Sequence, residues 1–281
     1  MPDIFGGTLD SGCWRRHMPE NSCRSARRPP ALNSNLPRAM AHVLCKLSVN
    51  ARTLLPMETR EFLALRAGRV PGWKHVRTVH DLGLLRVPSG RLEASDPFVM
   101  LGKGLVFAIP PGTYPVKVTV ADVSDGADGS HLRESYLSVI IHDGDPVVVE
   151  NVRPEGVTDQ QWLDAASAGE YFGIGVDAGT VGFADAAAIP TSMPPDDWYE
   201  DVYDTGEDHS WFALMDSRDH LIPGSANVVM PLASNGENVV LSHSGWGDGF
   251  YPVLASYAAN GTLLGVHIDL LVEEPKNEIP A

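Results

Sequence analysis

The chain has 281 residues, with 21 Lys/Arg against 36 Asp/Glu and a formal net charge of −15. That length supplies a large core, and the acidity argues against a general nucleic-acid binder, because neutralising phosphates takes a Lys/Arg surface that this chain lacks. No apolar run approaches the roughly 20 residues of a membrane-spanning helix.

The charge is divided unevenly. Residues 1–56 carry eight Lys/Arg and three Asp/Glu, which leaves the remainder at −20. All three cysteines, Cys13, Cys23 and Cys45, fall in that first stretch. An odd set of cysteines in an irregular Arg- and Pro-rich segment does not make a disulfide framework, and a cysteine-free body suits a reducing cytoplasm. Runs such as Arg27-Arg28-Pro29-Pro30 lack both periodicity and apolar content. Residues 1–56 are therefore expected to be a disordered basic leader, and residues 57–281 a single acidic domain.

From Val79 onward, short apolar or alternating runs are separated by Gly and Pro turns, the pattern of a β-rich chain. Leu82–Val87 and Arg91–Ser95 flank Pro88-Ser89-Gly90 and are expected to pair as a hairpin. Leu105–Ile109, Tyr114–Val123 and Tyr136–His142 follow as strands, and Val147–Val152 is expected to complete a second hairpin. Asp122, Asp125 and Asp128 lack EF-hand spacing and read as a hairpin loop. Thr158 can cap a short helix running through Trp162 to Ala166, which Gly169 ends. Tyr171–Val176 and Val181–Ala184 are strands meeting at Asp177-Ala178-Gly179-Thr180. The acidic, aromatic run Asp197–Tyr203 is expected to be a short surface helix. Val239–His243, Tyr251–Tyr257 and Leu263–Val272 complete the strands, the last two joined at Asn260-Gly261. The fold class is mainly β, an antiparallel β-sandwich or a bent, barrel-like sheet with a few short helices, with α+β as the alternative.

Ser244-Gly245-Trp246-Gly247-Asp248-Gly249-Phe250-Tyr251-Pro252 sets three glycines around one tryptophan and one carboxylate, a composition suited to a tightly shaped corner. Asp177, Thr180, Trp246, Asp248 and Tyr251 form the candidate functional cluster. Asx-type turns are the expected structural use of the two aspartates, Asp177 accepting from Gly179 and Thr180, and Asp248 from Gly249 and Phe250. Glu170, Asp177, Asp248 and Asp269 are candidate ligands for Mg²⁺ or Ca²⁺, which take oxygen donors and could activate water. Asp96 and Asp185 also stand at strand ends. The histidines have no zinc spacing, and His243 and His267 are placed to neighbour Asp248 or Asp269. The nucleophile-elbow, P-loop and dinucleotide fingerprints are absent.

Four segments in order, Leu85 to Pro97, Ile109-Pro110-Pro111-Gly112-Thr113-Tyr114-Pro115-Val116, Gly169 to Thr180 and Ser244 to Val253, resemble the bacterial domain of unknown function 4241 family. The resemblance covers about residues 85–272. The family has no established activity, so it implies no catalytic residue. Two functional classes follow from the residues themselves. One is a non-catalytic binding module, immunity-type in its sharpest form, that recognises a basic protein partner and neither nucleic acid nor membrane. The alternative is a divalent-metal-dependent hydrolase built on the clustered aspartates.

Overall fold

The computed structural model describes residues 59–195 and 198–276, so the expected leader lies outside the described residues. The chain runs through β1 (Gly68–Arg69), β2 (Val76–Val87), β3 (Arg91–Ser95), the single turn α1 (Pro97–Met100), β4 (Leu105–Ala108), β5 (Gly112–Asp122) and β6 (Leu132–Ile140). β7 (Val148–Asn151) leads to α2 (Asp159–Ala168), β8 (Gly173–Val176) and β9 (Thr180–Asp185). Next come α3 (Ile189–Ser192), a π-helical turn over Tyr199–Tyr203, and α4 (Trp211–Asp216). β10 (Ser225–Val229), β11 (Asn238–His243), β12 (Gly249–Tyr257) and β13 (Leu263–Asp269) complete the fold.

The result is a mainly antiparallel β-sandwich with no closed barrel. One sheet has the order β1-β2-β5-β6-β13-β12-β7, and the other β10-β11-β9-β3-β4. β8 shares an edge of β12 with β7: Gly249–Pro252 pairs with β8 and Leu254–Tyr257 with β7.

Period-2 alternation explains the layering, since successive strand residues face opposite sides. Val116, Val118, Leu137, Val139, Val266 and Ile268 turn inward from the first sheet onto Leu92, Phe183 and Val240 of the second. The outward faces are covered as well. Met193, Tyr203, Trp211 and Met215, from the helical segments, pack on Val239 and Leu241, while Phe62, Leu63, Ala64 and Trp73 pack on Tyr136, Val149 and Leu254. Each fully buried Val or Leu in these layers contributes about 1.5–3 kcal/mol relative to exposure.

α2 forms as its ends dictate. Thr158 and Gln161 make a reciprocal capping box, and Gly169 closes the helix in the left-handed conformation at φ 69°. Of the short helix expected over Asp197–Tyr203, Asp197 lies outside the described residues, and Tyr199–Tyr203 forms a π-helical turn with Val202 and Tyr203 buried.

Two of the expected hairpins are replaced by longer-range pairings. β2 and β3 lie in different sheets: β2 pairs with β5, and β3 with β4 and β9. Pro88-Ser89-Gly90 is therefore a crossing between layers, held by Asp185, whose carboxylate accepts from Ser89 N at 2.8 Å and Ser89 Oγ at 2.6 Å. β7 pairs with β12 instead of returning to β6. Two expected hairpins do form, β5–β6 around Asp122 and β12–β13 around Gly261. Asp122 accepts from Ser124 N, Ser124 Oγ and Gly129 N, so that loop satisfies its own carboxylate.

Candidate functional site at a sheet-crossing corner

Two chain crossings lie side by side at one end of the sandwich. β8 belongs to the first sheet and β9 to the second, so Asp177-Ala178-Gly179 carries the chain across. β11 and β12 divide the same way, and Ser244–Asp248 carries the chain back. Val176 pairs with Gly249 and Thr180 with His243, so the crossings flank one another. Ser244 N donates to Gly179 O at 3.0 Å and ties them together.

Asp96 pins the first crossing. Its carboxylate is fully buried and accepts from Thr180 Oγ1 at 2.6 Å, Ala178 N at 2.7 Å, Asp177 N at 3.0 Å and Phe98 N at 3.3 Å. These donors do for the ion what water would otherwise do, and the bond to Phe98 N also caps α1. The expected Asx turn at Asp177 is thus reversed: the backbone amide of Asp177 donates, and its carboxylate is exposed.

The second crossing is pinned from within. Ser244 Oγ and Tyr251 Oη both donate to Gly247 O at 2.7 Å. Burial pushes the Tyr251 phenol above its ordinary pKa, which keeps it a donor. Gly245 has φ 70°, and a Cβ there would lie 2.6 Å from Glu134 O, so both conformation and space select glycine. Asp248 is exposed and makes none of the expected bonds to Gly249 or Phe250, because the turn is already satisfied by Ser244 and Tyr251.

Of the five cluster residues, Thr180 and Tyr251 are buried and structural, whereas Asp177, Trp246 and Asp248 face solvent. Trp246 is 53% exposed, with the Arg133 guanidinium 5.4 Å from its ring centroid and the His131 ring edge-on at 6.1 Å. Arg133, and Glu134 beside it, were invisible as site residues in the sequence. They sit on β6, more than a hundred positions from Trp246, and only the strand order brings them to the loop.

The four candidate metal ligands are not gathered. Asp177 and Asp248 share the corner, Glu170 follows the C-terminal end of α2, and Asp269 is buried at the end of β13, where it accepts from Leu271 N at 2.9 Å. Among the described residues no group of three or more His, Cys, Asp or Glu is placed to hold a metal ion. His243 also departs from expectation. It neighbours Glu134: a Cβ on Gly224 would lie 2.7 Å from His243 Nδ1 and 2.9 Å from Glu134 Oε1. His267 is buried between Ser138 Oγ and Ser256 Oγ, each 2.9 Å away, and burial lowers its pKa to about 3.

The family described as protein of unknown function (DUF4241) matches residues 85–268, well over half of the chain. The chain belongs to the DUF4241 family. The matched span holds Asp96, both crossings and the whole of the Trp246 loop. The segment that covers the first sheet through Phe62 and Leu63 lies outside it. No curated protein and no solved structure matches the chain. Among the described residues no helix is long and apolar enough to cross a membrane.

Proposed function

We propose that this DUF4241 chain is a non-catalytic binding module of the cytoplasm whose corner docks a basic protein partner, immunity-type in its sharpest form. The observation that carries this reading is the exposed indole of Trp246 on a pinned loop, with the exposed residues Asp177 and Asp248 on the same two adjoining crossings. A lysine or arginine seated on an indole face gains about 0.5–1 kcal/mol at an exposed site, and adjacent carboxylates add charge-assisted hydrogen bonds. The loop needs little ordering on binding, because Ser244, Tyr251 and Asp96 already hold both crossings. The net charge of −20 over residues 57–281 steers cationic partners toward the protein.

An octa-arginine peptide tests this directly. Binding, followed by tryptophan fluorescence or calorimetry, is expected to be lost in Trp246→Ala and weakened about tenfold in the double variant Asp177→Asn, Asp248→Asn. It should fade as salt rises to about 1 M, where screening acts over about 3 Å. Thermal midpoints should stay within about 2 °C of wild type, because none of the three side chains supports the fold. Full binding by the combined triple variant would sink the assignment of this corner.

A further inference from the structure

The outer face of the first sheet carries a segment of the chain's own. Alternation turns Val118, Leu137, Val139 and Val266 into the sandwich, so Thr119, Tyr136, Ser138 and His267 stand on the opposite face. Leu254 and Ser256 of β12 extend that face, and Val149 of β7 ends it. Its polar groups satisfy one another within the sheet, His267 lying between Ser138 Oγ and Ser256 Oγ at 2.9 Å each. Such a face needs no cover to complete its hydrogen bonds.

Residues 62–67 cover it nonetheless, and they belong to no helix or strand. The Phe62 ring stands edge-on to Tyr136 at 5.9 Å and to His267 at 4.8 Å, and Phe62, Leu63 and Ala64 are all buried. Side chains of the sheet hold the segment's backbone. Leu65 N donates to Thr119 Oγ1 at 3.0 Å, while Arg77 donates from Nε to Arg66 O at 3.2 Å and from Nη2 to Gly68 O at 3.3 Å. Arg77 is itself fixed by Glu273, whose carboxylate accepts from Nη1 at 3.0 Å. A seated aromatic ring and side chains that bond backbone groups are the contacts by which a groove holds an extended peptide. Leu65 also has φ 63°, in the left-handed region that a leucine occupies only where its surroundings impose it, so leaving the face relieves strain.

We infer that this face is a peptide-binding site occupied in cis by residues 62–67, and that the cover is an autoinhibitory contact, displaced by an extended partner segment with an aromatic anchor followed by aliphatic residues. Phe62 defines the anchor, because its ring meets both Tyr136 and His267. Leu63 and Ala64 define the aliphatic positions after it, and Thr119 and Arg77 bond backbone groups whatever the side chains are. The face is separate from the Trp246 corner, and its occupancy does not depend on the docking reading above.

Two experiments on the full chain decide the matter. In native-state hydrogen exchange of the wild type, the amides of residues 62–69 should open together, at least about 100-fold more often than those of β5, β6 and β13. Exchange of the cover only with global unfolding overturns the proposal. The second experiment uses a fluorescein-labelled peptide of residues 59–70 and the double variant Phe62→Ala, Leu63→Ala. Fluorescence anisotropy should show the peptide binding the variant at least about tenfold more tightly than wild type, where the tethered copy competes at roughly millimolar effective concentration. The same peptide carrying Phe62→Ala should not bind, and undiminished affinity on its part overturns the anchor. Equal affinity of the unaltered peptide for wild type and variant, or no binding to a variant that keeps a cooperative thermal transition, overturns the site. So does a variant that has lost that transition, since the cover then belongs to the core that holds the sheets together.

Discussion

A carboxylate without water around it is tolerable only when protein donors replace the water, and Asp96 meets that condition with four of them. Asp96→Ala leaves the amides of Asp177 and Ala178 and the hydroxyl of Thr180 unpaired, at a cost of about 3 kcal/mol or more. Asp96→Asn is nearly as harmful in kind, because its NH₂ group then faces donors. Urea midpoints for both variants should fall well below that of Asp177→Asn, whose exposed side chain supports nothing. An Asp96→Ala protein within about 0.5 kcal/mol of wild type would remove Asp96 from its place as the pin.

Single-residue contacts of this kind matter because they fix how elements cross between the sheets. Gly245 lies in the β11–β12 crossing at φ 70°, with the Glu134 carbonyl 2.6 Å from where a Cβ would stand. Gly245→Ala combines a left-handed conformation with a backbone collision that no side-chain rotation relieves. The expected loss is about 2–4 kcal/mol, together with a change in Trp246 fluorescence as the loop shifts. Gly261→Ala is the control, since φ is 82° there but nothing lies within 4 Å, so its cost should be the conformational part alone, about 1 kcal/mol. Equal midpoints for the two variants would show that the close approach at Gly245 carries no energy.

The same crossings mark where element-level reading of the sequence stopped. Alternation identifies a strand and its buried face but not its partner, so Leu82–Val87 and Arg91–Ser95 were recognisable as strands while their division between sheets was not. Pro88-Ser89-Gly90 has the composition of a hairpin turn, and the residue that makes it a crossing is Asp185, 96 positions away from Ser89. The capping box of α2 was legible because all its parts lie within a few residues. The glycines around Trp246 signalled a tight corner for the same local reason. Asp96 and Thr180, 84 positions apart, and Arg133 against Trp246 are set by topology and carry no local signal.

Across the molecule, a buried His267 and a half-buried Glu134 pull stability in opposite directions with pH. His267 is neutral in the folded state down to about 3, whereas the unfolded imidazole takes up a proton below its ordinary 6.5. The unfolded state binds more protons in that window, so this group makes stability rise with pH from about 3 to 6.5. Glu134 has the reverse sign. Its folded pKa is about 7 against 4.5 when unfolded, so the folded state holds the extra proton and stability falls as pH climbs through that interval. Glu134→Gln removes the falling limb and leaves the His267 limb intact. Thermal midpoints of wild type and variant should agree near pH 4, separate progressively, and reach a constant gap above neutrality in favour of the variant, worth about 2 kcal/mol after allowance for the partial exposure of Glu134. The constant gap matters most, because loss of a specific packing contact would displace the variant at every pH, acid included. A gap independent of pH would therefore assign Glu134 a purely structural role and detach the corner from the proton balance of the whole fold.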